Sequence, residues 1–238
     1  LILFFLGSVL MRSAGCIFND IVDKEFDKKV SRTKSRPIAS GKISIKQSLL
    51  YVLILCILAL TILIQFNYLT IILGFGSMFL AFAYPYMKRI TYWPQLFLGL
   101  TFNWGIVMGW AAMGFELSFE ISLLYLSAIF WTLGYDTIYG AQDMSEDEII
   151  GLKSTSIKFK NNMKKFVTIC YSITILLIIF LNFKKIGLNE STFILLIFFS
   201  SLIYQIYYFK KNIPSSCLET FKINNFSGFL LFLSLTFV

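Results

Sequence analysis

The sequence predicts an all-α, polytopic transmembrane helical bundle, and three observations carry that reading. Of 238 residues, 57% are hydrophobic and only 14% charged, where soluble domains hold about 45–50% apolar and about 25% charged residues. Apolar stretches of bilayer-crossing length recur along the chain, and SLLYVLILCILALTILIQF leaves no polar face for water. The alternating pattern of about ten residues that marks β-barrel strands is missing. A single soluble core, a disordered chain and a disulfide scaffold are thereby excluded.

A helix crosses the bilayer in about 20 residues, with a usual range of about 17–25. On that measure eight spans fall near 1–18, 47–66, 69–87, 94–114, 118–135, 165–183, 192–209 and 226–238. The first begins at Leu1 inside an apolar run, and the last would rise only about 20 Å as a helix. The expectation is one membrane domain over 1–238 with clipped ends.

Charge orients the bundle. If the spans alternate, one face carries loops 19–46, 88–93, 136–164 and 210–225. With Lys165 at the edge of the sixth span, that face holds 18 of the 21 Lys and Arg. Lys184 and Lys185 lie opposite, and Arg12 lies inside the first span. The positive-inside rule places the Lys-rich face in the cytoplasm, so the net charge of +8 needs no nucleic-acid partner. No basic-aromatic nucleic-acid motif stands out.

Histidine is absent, which removes Ser/His/Asp and Cys/His nucleophiles and histidine-ligated metals. Cys16, Cys56, Cys170 and Cys217 form no CxxC pair and read as small apolar packers. A metal here would be held by oxygen, which favours magnesium or calcium.

All six aspartates fall in two runs on the cytoplasmic face, NDIVDKEFD (19–27) and YDTIYGAQDMSED (135–147). At about 100° per residue, Asn19, Asp20, Asp23 and Asp27 share one face of a helix leaving the membrane, and Asp136, Tyr139, Asp143 and Asp147 form a narrower stripe. Carboxylates at i, i+4 repel by a few tenths of a kcal/mol. A solvated helix start accounts for one such run alone. Two, on the same face with matching stripes, point to Mg²⁺ ions clamping a diphosphate.

Basic residues follow both runs: Arg32, Lys34 and Arg36 in VSRTKSRP, and Lys153 in GLKST. Arginine grips phosphate bidentately and lysine supplies a point charge; ordinary positive-inside decoration is the other reading of each. Arg12 costs at least about 2.5–3.5 kcal/mol within a span. It lies on the stripe of Asn19 but about 10 Å deeper, as a contact for a substrate carboxylate or phosphate, or as a structural pair. Tyr84, Tyr86, Tyr135 and Tyr139 sit at cytoplasmic ends, where an aromatic face stabilises a developing carbocation. An interfacial belt explains Tyr84 and Tyr86 equally well, and Tyr139 less well. A transporter would also gather intramembrane charges, but near the midplane, whereas these acids cluster at one end.

At these residues the chain resembles a known family. NDIVDKEFD and the Asp143/Asp147 pair are similar to the NDxxDxxxD and DxxxD signatures of UbiA-type intramembrane prenyltransferases. LMRSAGCIFND, VSRTKSRPIASG, YDTIYGAQD, GLKSTSI, FAYPYMKR and CLETFKINNFSGFLLFL resemble the 4-hydroxybenzoate polyprenyltransferase branch of ubiquinone synthesis. Gly140 departs from the more familiar alanine.

The resemblance implies a nine-helix bundle, so this chain would lack the first helix. It further implies a cavity open to the cytoplasmic side and to lipid, Mg²⁺, and a polyprenyl diphosphate joined to 4-hydroxybenzoate ortho to its hydroxyl. By the same resemblance Asn19, Asp23, Asp27, Asp143 and Asp147 are the metal ligands, and Asp20 and Asp136 occupy motif positions. Arg32, Arg36 and Lys153 are assigned to the diphosphate, and Arg12 to the acceptor. Asp136, Asp143 and Tyr139 are the candidates for the chemistry, with Asp136 or Asp143 taking the ring proton. A naphthoate or haem acceptor is the alternative within the family. The implied setting is the bacterial inner membrane, with the site cytoplasmic, or alternatively the mitochondrial inner membrane.

Overall fold

The computed structural model describes residues 1–236; positions 237 and 238 of the eighth expected span lie outside the described residues. Eleven helices follow one another among them: α1 (Ile2–Asp27), α2 (Ile45–Leu63), α3 (Tyr68–Ile90), α4 (Pro94–Phe102), α5 (Trp104–Ala112), α6 (Phe119–Gly140), α7 (Met144–Ile149), α8 (Thr155–Lys158), α9 (Met163–Asn182), α10 (Glu190–Tyr208) and α11 (Pro214–Thr236). Six of them (α1, α2, α3, α6, α9 and α10) are long and apolar enough to cross a membrane.

Helix starts are written in short polar residues. Ser44 and Gln47 form a reciprocal capping box at α2, and Asn67, Ser118 and Asn189 cap α3, α6 and α10 by accepting from Thr70, Ile121 and Thr192 N–H. Each satisfies donors that a helix start leaves orphaned.

Two expected spans differ from single helices of their own length. The 94–114 stretch is broken at Asn103 into α4 and α5. The Asn103 amide turns back to Gly99 O (2.9 Å), Ala128 O (3.2 Å) and Thr132 Oγ1 (2.7 Å), so its side chain adds to the bond its own N–H makes to Gly99 O (3.2 Å) and ties the break to α6. The last helix begins at Pro214, twelve residues before the expected 226, because Glu219, Lys222 and the two Asn that follow form helix without being apolar.

α6 is the hub, packing against α4, α5, α8, α9 and α11, while α1 pairs with α2 and α10 with α11. Lipid is as apolar as Leu, so membrane helices are held by close approach and polar contacts rather than by the hydrophobic effect. Both are present. A Cβ on Gly134 would lie 2.7 Å from Tyr171 Cδ1, and one on Gly99 would lie 3.1 Å from Ile129 O. Tyr171 Oη donates to Gln205 Oε1 (2.7 Å), Gln205 Nε2 donates to Ser227 Oγ (3.2 Å), and Trp131 Nε1 donates to Asn224 Oδ1 (2.9 Å). These contacts tie α6, α9, α10 and α11 into the buried half of the bundle. The outer faces of α1, α2 and α3 expose large apolar side chains such as Phe5, Leu53 and Phe79, as a lipid-facing surface does.

Candidate active site

Four pieces of chain meet at one end of the bundle: the last turns of α1, the 28–44 connection, the end of α3, and the α6–α7 junction. α1 continues unbroken through the first acidic run, so Asn19, Asp20, Asp23 and Asp27 keep the shared face expected of them. Asp23 and Asp27 are buried, Asn19 and Asp20 half-buried.

The second run is not one helical stripe, which corrects the sequence expectation. α6 carries Asp136 and Tyr139 and stops at Gly140, and Asp143 stands at the start of the separate six-residue α7 with Asp147 one turn on. The cause is tertiary. Ser156 Oγ donates to Thr137 O (2.7 Å), taking the carbonyl that a continuing helix would offer to Ala141. The Ala141 and Gln142 amides tighten onto Ile138 O and Tyr139 O instead, both at 3.2 Å. A Cβ at Gly140 would meet Ser156 Oγ at 2.7 Å, so glycine is what lets this close approach happen.

Most of the acids meet a cation of the same chain. Arg36 Nη1 bridges Asp20 (2.8 Å) and Asp27 (3.0 Å). Arg32 Nε donates to both oxygens of Asp143 (3.1 and 3.0 Å), and its Nη2 pairs with the same carboxylate. Arg32 Nη1 donates to Tyr139 Oη (2.9 Å) while its guanidinium lies 5.3 Å from that ring. Next to it, Ser31 N–H and Oγ donate to the two carboxylate oxygens of Glu146, each at 2.9 Å. The 28–44 connection thus straps the first acidic run to the second.

Asp23 pairs with Lys88, and with Arg89 at 3.6 Å, yet neither of its buried oxygens gains a well-aligned hydrogen bond. Arg89 Nη2 also donates to Val22 O (2.5 Å) and stacks on Phe26 and Tyr86. Among the described residues Asp136 and Asp147 form no ion pair. Burial, with the Asp143 charge beside it, pushes the Asp147 carboxyl up to about 6.

Two expected phosphate or acceptor contacts lie apart from the carboxylates. Lys153 Nζ donates to Ile90 O (3.1 Å) and lies over Tyr92, finishing α3 rather than facing the acids. Arg12 makes no ion pair among the described residues. Its guanidinium rests 5.1 Å from the Phe102 ring centre. Lys34 is exposed.

Lys88, Arg89, Ser31 and Glu146 are the site residues that sequence reasoning missed. The Lys88–Arg89 pair reads as ordinary loop charge after a span, and only its docking onto Asp23 distinguishes it.

The donor chemistry suits a hard divalent cation: carboxylates and amide oxygens, no imidazole, and a buried Asp23 whose oxygens lack aligned donors. Among the described residues no three acids yet converge on one point, because Arg32, Arg36 and Lys88 occupy the carboxylates. The residues fit the ion; the arrangement seen is the one in which the chain's own cations hold them.

The fold and this site together define a polytopic helical membrane protein with a cluster of paired acidic and basic side chains at one end. The model of the UbiA prenyltransferase family matches residues 1–233, and the chain belongs to that family. It is 45% identical over 235 residues to the mitochondrial 4-hydroxybenzoate polyprenyltransferase of Bos taurus, covering 98% of this chain and 63% of the relative. To the 4-hydroxybenzoate octaprenyltransferase of Vibrio campbellii it is 39% identical over 236 residues, covering 99% of this chain and 83% of the relative. The chain therefore spans less than two thirds of the length of the mitochondrial relative. Among solved structures, a UbiA homolog from Aeropyrum pernix K1 superposes with a TM-score of 0.84 at 23% identity, covering 99% of this chain and 88% of that one. A UbiA homolog from Archaeoglobus fulgidus bound to GPP and Mg²⁺ gives 0.76 at 18% identity, covering 99% and 86%. These likenesses establish the fold.

Proposed function

We propose that this protein transfers a polyprenyl group from a polyprenyl diphosphate to the ring carbon ortho to the hydroxyl of 4-hydroxybenzoate, releasing diphosphate, as a step of ubiquinone synthesis. The observation that carries the reading is the strap joining the two acidic runs, Arg32 on Asp143 and Ser31 on Glu146, at the end of a UbiA-type bundle. The names of the Bos taurus and Vibrio campbellii relatives supply the acceptor. The whole of 1–238 serves as one prenyltransferase domain.

Asn19, Asp23, Asp27, Asp143 and Asp147 would hold Mg²⁺. When bound, the metal supplies positive charge that stabilises a diphosphate leaving group. Arg32 and Arg36 then exchange their carboxylate partners for diphosphate oxygens, as bidentate donors suited to phosphate. Lys88, paired with Asp23, is the third cation within reach, a place the sequence reading had given to Lys153.

The allylic C1–O bond breaks with its electron pair on the diphosphate, and the ortho ring carbon bonds to C1. Asp136 takes the displaced ring proton on a carboxylate oxygen, its freedom from any ion pair leaving that oxygen available. The Tyr139 ring, already a cation's platform for Arg32, faces the developing positive charge. Arg12 holds the acceptor carboxylate. The prenyl tail extends into lipid, and the site opens toward the cytoplasm of a bacterial inner membrane or the matrix side of a mitochondrial one.

Membranes carrying the protein, given 4-hydroxybenzoate and a labelled polyprenyl diphosphate, should yield prenylated 4-hydroxybenzoate with Mg²⁺ and none in chelator. Product only with a naphthoate or haem acceptor would reassign the substrate.

A further inference from the structure

A cavity lies away from the acidic runs, between α9 and α10. α9 packs chiefly on α6, and α10 on α11, so the two antiparallel neighbours part along their outer faces. The space between them holds about 480 Å³, within the range of about 300–1,000 Å³ typical of ligand sites. Its chemistry is graded along its length. Lys164 and Lys165 stand at one end, beside Tyr207 of the antiparallel α10; Thr168 follows on α9, Ile206 and Ile203 line the α10 wall, and Ile175 is the apolar residue farthest along α9. From Lys164 to Ile175 the helix rises about 16 Å, close to the depth of one leaflet.

The charged end is built against its own helix dipole. Lys164 and Lys165 occupy the first turn of α9, which has no acid and no side-chain cap from Asn162. Cations are disfavoured and anions favoured at such a position. Both lysines are exposed, and neither enters an ion pair among the described residues. Lys164 Nζ stays near the rim, 5.8 Å from the centre of the Tyr207 ring. Two unpaired lysines over a leaflet-deep apolar channel complement a molecule with an anionic head and a hydrocarbon chain.

We propose that the α9–α10 groove binds one anionic glycerophospholipid from the leaflet on the lysine-rich face, its phosphate on Lys164 and Lys165 and one acyl chain along Ile175, Ile203 and Ile206. A juxtamembrane lysine contributes about 1 kcal/mol toward an anionic lipid, equivalent to about five-fold in affinity.

The test is native mass spectrometry of the delipidated full-length protein titrated with phosphatidylglycerol and, separately, phosphatidylcholine. One phosphatidylglycerol should bind roughly 25-fold more tightly than phosphatidylcholine, from two lysines at about five-fold each. The K164Q/K165Q double variant should abolish that preference, and I206W should block the adduct while leaving both lysines in place. K46Q, which removes one exposed positive charge from the same face outside the groove, should leave binding unchanged. Equal binding of the two lipids would overturn the proposal. So would a preference that survives I206W, or a loss in K46Q as large as that from one groove lysine, which would mean general surface attraction.

Discussion

Arg32 donates from Nε to both oxygens of Asp143, 111 residues further along the chain, and from Nη1 to Tyr139 Oη. Two acidic runs that are far apart in sequence are thereby joined by a phosphate-binding type of side chain, for which a diphosphate would be an alternative partner to Asp143. Arg32→Ala should raise KM for the polyprenyl diphosphate by roughly 10- to 150-fold, the loss of one charge-assisted contact of about 1.5–3 kcal/mol. Steady-state kinetics with the acceptor saturating would show it. An unchanged diphosphate KM would confine Arg32 to strapping the two runs together.

Loss of a proposed metal-holding carboxylate should be more severe. Asp23→Ala and Asp143→Ala are each expected to lower turnover by roughly 10²-fold or more, the scale of removing one strong electrostatic stabiliser. Near-normal rates in both, at normal expression, would refute the ligand assignment. Chelation of the unaltered protein should abolish turnover and added Mg²⁺ restore it.

The Asp23–Lys88 pair separates stability from chemistry. Asp23 is fully buried and Lys88 partly so, so Lys88→Met leaves a buried carboxylate without its main counter-charge, at a cost of about 3–5 kcal/mol. In the double variant Asp23→Asn/Lys88→Met the uncompensated charge is gone, and most of that loss should return. Thermal unfolding in detergent reads both. Equal melting of the single and double variants would show that Arg89 suffices as partner.

What the sequence made legible and what it hid divide along physical lines. Apolar length locates the long helices, because a bilayer demands it wherever the chain crosses. The α1 motif stripe is legible because one uninterrupted helix carries it, and the helical period is then enough. The α6–α7 break is hidden, because its cause is the Ser156 hydroxyl capping Thr137 O from 19 residues away. No local propensity announces that contact. Lys88 was hidden for a different reason: a lysine after a span looks the same whether it faces water or Asp23.

Labelling should fix the orientation that loop charge suggests. Ser35 and Asn189 are both exposed and lie on opposite sides of the proposed bilayer. In sealed, right-side-out membranes an impermeant thiol reagent should modify an engineered cysteine in Asn189→Cys and not in Ser35→Cys. Modification of Ser35→Cys alone would invert the topology.

Arg12 carries the last prediction, which concerns the choice of acceptor. It lies on the Asn19 stripe but about 10 Å deeper, beyond where a diphosphate gripped by Arg32 and Arg36 would reach. Its guanidinium rests on the Phe102 face, which leaves the N–H edge for an anion, and no acid among the described residues takes it. Asp136 likewise forms no ion pair among the described residues, so Arg12 and Asp136 are a cation and a carboxylate that the chain leaves without a counter-charge. 4-Hydroxybenzoate would supply the matching ends: a carboxylate for Arg12, and across the ring the carbon ortho to its hydroxyl, from which Asp136 would remove the proton. Arg12→Leu should therefore raise KM for 4-hydroxybenzoate by roughly 10- to 150-fold and leave KM for the diphosphate nearly unchanged. Arg12→Lys should recover part of the loss, since a point charge replaces the fork but not its geometry. A rise confined to the diphosphate KM would move Arg12 into the phosphate site and leave the acceptor carboxylate without a partner in this pocket.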